Sequence, residues 1–235
     1  SCFLPAGQKV TCRAAGGRRS VGPANLLMTG IVTVPEARWK RRVLGLVAGL
    51  LVCFAMPPWG WWPLAPLGIG LWALLLEHRP WRARFRVGVL VGFGWYLPST
   101  MWMVTFSPAG WPLGVAVWFP FVLGVLSALC PPRATLVALP GVVVLGEWFR
   151  WHAPFGGVPL SMLAYTQARG PFLPVARVAG TLGVSGAVAV AGVGIAAALS
   201  ATGRRRVTGM ITIAAVILVA GLGVVAPKGE AFREI

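Results

Sequence analysis

An all-α, polytopic integral membrane bundle of about seven transmembrane helices plus a short interfacial helix is the fold the sequence predicts, on three observations. Hydrophobic residues make up 57% of the chain and charged residues 11%, with a mean hydropathy of +0.78, whereas soluble domains carry roughly 25% charged residues. The apolar residues fall in long runs separated by short polar or Pro/Gly-rich breaks. The 21 Lys and Arg, set against 5 Asp and Glu, cluster between those runs, as topology signals do. The formal charge of +16 is therefore not the footprint of a phosphate-reading face, and no nucleic-acid partner is expected. Twelve Trp against 2 Tyr suit interfacial belts, where an amphipathic ring rests at headgroup depth.

Residues 1–37 do not match the rest and lack the apolar h-region of a signal peptide. They are expected to be a disordered leader or an upstream extension, with the native start at Met28 or later. Residues 38–226 are expected to form the membrane domain. Segment one runs from Trp39 through VLGLVAGLLVCFAM to Pro57-Pro58, and segment two from Pro63 to Leu76. Both apolar cores are shorter than the ~20 residues of a full span. They form either buried or re-entrant helices or a true hairpin that Trp59, Trp61 and Trp62 complete at an interface. Segment three is Val87 to Phe106 with a kink at Pro98, segment four Trp111 to Leu129, and segment five Ala134 to Phe149, bent at Pro140. Segment six lies within Phe172 to Leu199, longer than a span needs, and segment seven is Val207 to Val225.

Arg38, Lys40, Arg41 and Arg42 precede segment one; Arg79, Arg82, Arg84 and Arg86 follow segment two; Arg133 follows four; Arg204, Arg205 and Arg206 follow six. Seven crossings place all of these on one side, which the positive-inside rule makes cytoplasmic. The N-terminus is then cytoplasmic and the 227–235 tail extracytoplasmic. The small-residue pairs Gly45/Gly49, Gly88/Gly92 and Gly110/Gly114, each four apart, predict close helix approach.

Polar chemistry concentrates in one stretch, Gly146 to Pro171. Glu147 is the only acid inside an apolar run, and Arg150 follows one turn later on the same face. Intramembrane ionisable residues are functional candidates. The pair reads either as an interfacial ion pair closing a helix near its outer end, or as a lipid-headgroup site with Arg150 facing phosphate and Glu147 orienting it. Beyond it Gly156-Gly157 breaks the chain and Pro159 suits a first helical position. Leu160, Leu163, Ala164 and Gln167 then recur at helical spacing, predicting a short interfacial helix or a re-entrant segment. Tyr165 and Gln167 complete the set of candidate lipid-positioning residues.

No metal or cofactor site is expected, because Cys2, Cys12, Cys53 and Cys130 form no metal-ligand spacing. Cys53 and Cys130 read as small packing residues. Gly183-Val184-Ser185-Gly186 matches the G-x-S-G of intramembrane serine proteases. A serine nucleophile needs a base in reach, and His78 and His152 both lie outside the helices, so packing is the better reading.

Three stretches in order, FAMPPWGWWPLAPLG (Phe54 to Gly68), GFGWYLPSTMWM (Gly92 to Met103) and GEWFRW (Gly146 to Trp151), carry a resemblance. They continue through Phe155 to Pro159 and Ala164 to Gln167 into GPFLPVARVAGTLGVSG. Together they resemble the membrane portion of the apolipoprotein N-acyltransferase family, over roughly Val43 to Val225. The chain departs from the family's usual pattern at Pro159-Leu160 and Ala164-Tyr165-Thr166-Gln167.

The resemblance implies a bacterial cell-membrane protein of lipoprotein biosynthesis. The phospholipid of the bilayer is the acyl donor and a diacylated lipoprotein the acceptor. It also implies a nitrilase-like α/β domain whose Glu-Lys-Cys triad forms a thioester; residues 227–235 would begin it, and no residue of the chain matches the triad. The chain is then expected to be a membrane portion inactive alone. A noncatalytic membrane scaffold and, more remotely, a small lipid or solute transporter are the competing classes.

Overall fold

The computed structural model describes residues 38–153, 157, 159–199 and 203–225. The expected leader over 1–37, Gly156 of the glycine break and the expected domain start at 227–235 lie outside the described residues. Among the described residues seven α-helices follow one another: α1 (Arg38–Ala55), α2 (Leu64–Leu76), α3 (Trp81–Thr100), α4 (Trp118–Leu129), α5 (Thr135–Arg150), α6 (Ala176–Ala198) and α7 (Gly203–Val225). Tighter 3-10 turns cover Met101–Thr105, Leu163–Gln167 and Leu173–Val175, and a wider π turn, Trp111–Val117, leads into α4. No strand occurs among the described residues.

Each expected apolar segment is a helix, with shifted ends. Arg82, Arg84 and Arg86, expected in a loop, occupy the first turns of α3. That helix starts directly after Pro80, whose missing N–H costs nothing at a helix entrance. Arg204, Arg205 and Arg206 likewise begin α7. Beyond Pro98 the α3 ladder lasts only to Thr100 before tightening into the 3-10 turn, because proline leaves a carbonyl without its donor. The surplus length of segment six goes into a break at Gly180, which has φ 64° and ψ −167°, a conformation only glycine adopts without strain.

Among the described residues, four stretches are long and apolar enough to cross a membrane: Trp81–Thr105, Trp111–Leu129, Leu173–Ala198 and Gly203–Leu222. The 13 residues of α2 extend about 20 Å, short of the roughly 30 Å hydrocarbon core. Polarity is arranged for lipid. Val137 is 84% and Leu113 75% exposed, while Ser127, Thr135, Thr166, Gln167 and Ser185 are buried. Exposed aliphatic side chains cost nothing against acyl chains, whereas polar groups must find partners inside.

Helix α1 packs between α2 and α3, α3 also against α4, α2 against α6, and α6 against both α5 and α7. The basic connections converge at one end. The His78 N–H donates to the Pro132 carbonyl at 3.1 Å, joining the α2–α3 and α4–α5 connections. Arg205 pairs with Glu77 at 3.3 Å, joining α7 to the end of α2.

Two of the three glycine pairs sit at helix crossings. A Cβ on Gly49 would strike the Val91 carbonyl and come within 2.7 Å of the Trp95 nitrogen, and one on Gly94 would strike the Leu46 carbonyl. The α1 and α3 backbones therefore touch directly. Gly88 and Gly92 do the same for α3 and α4, against the Leu123 carbonyl and Pro120. Gly110 differs, since a Cβ there would meet only Ser107 of its own turn. Replacing Gly49 with Val is expected to part α1 from α3 and destabilise the bundle by about 1–3 kcal/mol. Thermal unfolding in detergent checks this, with Gly141→Ala, where a Cβ would meet nothing within 4 Å, as the nearly silent comparison.

Candidate functional site

The polar interior is built around the last turn of α5. Glu147 and Arg150 are 2% and 3% exposed, so neither snorkels to the interface. They pair across one turn, with Arg150 Nη2 3.6 Å from Glu147 Oε1. A carboxylate near a helix C-terminus opposes the helix dipole and an arginine there complements it. The arginine thus stabilises both the helix end and its acidic neighbour.

Both side chains also hold the segment that follows. The Leu163 N–H donates to Glu147 Oε1, and Arg150 Nη1 donates to the Leu160 carbonyl at 2.9 Å. The Ala164 N–H donates to Ser185 Oγ of α6 at 3.0 Å. Those two N–H groups open the 3-10 turn Leu163–Gln167, where no intrahelical acceptor exists. The residue in the capping position is Met162, which makes no side-chain cap. A carboxylate from α5 and a hydroxyl from α6 do the capping instead.

Aromatic rings wall in the guanidinium. Arg150 lies 4.9 Å from the Tyr96 centroid and 5.2 Å from that of Phe119, within cation–π range. Tyr96 stacks on Trp95 at 4.9 Å and meets Phe119 edge-on at 5.2 Å. Ser99 Oγ and Ser161 Oγ are 2.8 Å apart, tying α3 to the same segment.

The short helix expected from Pro159 is smaller and deeper than an interfacial helix. It begins at Leu163 and lasts five residues, with Leu163, Ala164, Thr166 and Gln167 buried. Ser161 has φ 50°, which interrupts any helix running on from Pro159. Gln167 is fully buried, and its Nε2 donates to Thr166 Oγ1 at 3.2 Å. Tyr165 alone points outward, 42% exposed, with its hydroxyl donating to the Pro159 carbonyl at 3.0 Å. Beside the turn an apolar groove of about 670 Å³ opens between α2, α6 and α7, walled by Trp62, Phe172, Ile195 and Ile217.

Of the four sequence candidates, Glu147 and Arg150 meet directly, and Tyr165 and Gln167 lie on the turn they hold. Arg150 turns its guanidinium to Glu147, Leu160 and two rings rather than to the bundle surface. Sequence reasoning missed Tyr96, Phe119, Ser99 and Ser161 as partners and read Ser185 only as packing. The one available signal was Tyr96, one of 2 Tyr in the chain, within GFGWYLPSTMWM. Cys53 and Cys130 are buried free thiols, and among the described residues no cluster of His, Cys, Asp and Glu fits a metal.

Removing one partner of a buried, hydrogen-bonded pair costs about 3–5 kcal/mol, whereas an exposed pair is worth about 0–1 kcal/mol. Glu147→Ala is therefore expected to lower stability in detergent by an amount in the first range. A loss below about 1 kcal/mol would mean that water reaches the pair.

A family model described as the apolipoprotein N-acyltransferase N-terminal domain matches residues 48–194. Relatives of the same name include one from Coxiella burnetii (strain RSA 493 / Nine Mile phase I), 33% identical over 162 residues, covering 61% of this chain and 33% of the relative. One from Pseudomonas paraeruginosa is 30% identical over 161 residues, covering 60% and 31%, and one from Azotobacter vinelandii is 30% identical over 171 residues, covering 65% and 33%. The chain thus matches about a third of the length of these relatives.

Proposed function

Because the chain belongs to the apolipoprotein N-acyltransferase family through its N-terminal domain, we propose that it forms the membrane part of an enzyme that acylates lipoproteins. The acyl chain comes from a membrane phospholipid, and the acceptor is the N-terminal diacylglyceryl-cysteine of a lipoprotein. The protein resides in the bacterial cell membrane with its N-terminus cytoplasmic and its C-terminus extracytoplasmic. Convergence of the basic connections at one end of the bundle supports that orientation.

The observation that carries the reading is the Glu147–Arg150 latch on the turn Leu163–Gln167, at the end of the bundle away from those basic connections. It makes a rigid rim where an outer-leaflet lipid would meet a catalytic domain. Glu147 and Arg150 act as positioning residues through the turn they hold. Tyr165 is the member that meets lipid, Gln167 keeps the turn closed, and the apolar groove beside it receives an acyl chain. No residue of this chain is assigned the role of nucleophile in this reading. Cys53 and Cys130 are buried and belong to the packing.

A chimera tests this, with residues 38–225 replacing the matching part of the Coxiella burnetii relative. Acyl transfer to a diacylated lipopeptide in proteoliposomes is followed by mass spectrometry. The chimera is expected to transfer the acyl chain and the present chain alone to transfer none. Tyr165→Ala in the chimera is expected to slow transfer by roughly tenfold, the scale of a misplaced substrate. Transfer by the isolated chain would overturn the assignment, and a folded but silent chimera would favour a noncatalytic scaffold.

A further inference from the structure

At the end of the bundle opposite the latch, a groove of about 730 Å³ opens between the first turns of α1 and α3. Its rim carries Arg38, Arg41 and Arg42 from α1 and Arg82 and Arg86 from α3, and its walls include Phe85, Val89 and Leu90. Among the described residues no acid lines it. Glu36, the acid nearest in sequence, lies outside the described residues. Helix α3 begins at the groove, after Pro80, with no acidic residue in its first turn, so its positive dipole end adds to the arginine charge.

Depth is marked as well. Trp39 of α1 and Trp81 at the start of α3 are 64% and 58% exposed. Lys40 lies over the Trp39 ring at 5.8 Å and Arg82 over the Trp81 ring at 5.3 Å. Exposed indoles beside cationic side chains are interfacial anchors, which sets the arginine rim at headgroup level and the apolar walls below it.

We propose that this groove is a binding site for an anionic phospholipid of the same leaflet, with its phosphate among the arginines and an acyl chain against Phe85, Val89 and Leu90. Topology alone asks only for cationic residues on one side. A concave site with an apolar trough, an arginine rim and the N-terminus of α3 also selects a ligand, because it pairs a fixed anion with a tail. Basic pockets between helices on this side of a membrane hold anionic headgroups by the same physics. The site lies away from the acyl-transfer rim and joins α1 to the start of α3, so its occupant is a structural lipid and not the acyl donor.

Native mass spectrometry of the full chain, released from micelles holding equal phosphatidylglycerol and phosphatidylcholine, tests the proposal. Phosphatidylglycerol is expected to be retained in excess by on the order of tenfold, since each basic residue near a headgroup contributes about fivefold. The triple variant Arg42→Gln, Arg82→Gln, Arg86→Gln is expected to abolish the preference. Arg133→Gln with Arg204→Gln, at the same end but outside the groove, is expected to retain it. Ala83→Phe keeps every charge while filling the trough and is expected to reduce retention; it decides the matter if the triple variant misfolds. Equal retention of both lipids, equal loss in the two arginine sets, or equal stabilisation by inorganic phosphate alone would overturn the proposal.

Discussion

The Glu147 carboxylate is the constraint on which the upper half of the bundle depends. A charge in an apolar interior persists only with compensation on several sides. Here that compensation comes from three parts of the chain: the Arg150 guanidinium on the same helix, the Leu163 N–H at the start of the 3-10 turn, and the Ser185 hydroxyl of α6, while the rings of Tyr96 and Phe119 enclose the arginine. Each partner fixes something else. Arg150 also holds the Leu160 carbonyl, and Ser185 holds Ala164 beside it. The Leu160 carbonyl and the Leu163 and Ala164 N–H groups of an irregular segment thereby find partners inside the bundle, as buried non-helical backbone requires.

Close helix packing supplies the frame for that polar centre. Where Gly49 and Gly94 bring the α1 and α3 backbones together, attraction comes from dispersion over a tight crossing rather than from exclusion of water, which is absent from lipid. The α3 helix is thus held by α1 on one face and by α4 on the other. It presents Trp95 and Tyr96 to the interior at a fixed height, and α4 brings Phe119 to meet them. A rigid aromatic box follows from glycines in the helix that carries it and in the helix beside it.

The two ends of the bundle divide the chemistry. At one end, the basic connections gather with the exposed Trp39 and Trp81. At the other, a single ion pair is turned inward and only Tyr165 of the 3-10 turn is substantially exposed. Apolar runs and arginine clusters are local in sequence, so the number and order of the helices were legible, together with the convergence of the basic connections. The Glu147 and Arg150 pairing was legible for the same reason, because one turn of helix separates them. The depth of the pair was not. Position near a helix end suggests snorkelling, but the Leu160 to Leu163 segment and the rings of Tyr96 and Phe119 enclose the pair.

Hydropathy, charge placement and residue order lie along the chain, and they suffice for an α-helical membrane bundle, its seven segments, their family resemblance and the stretch where polar chemistry gathers. Packing was needed for the rest. It makes the helix expected from Pro159 a five-residue turn starting at Leu163, turns Ser185 into a capping group, and brings arginines from two helices to one groove. Each of those depends on groups that lie far apart in sequence, 16 residues for Glu147 with Leu163 and 21 for Ala164 with Ser185. No periodicity records such pairings, because they exist only once the helices have packed.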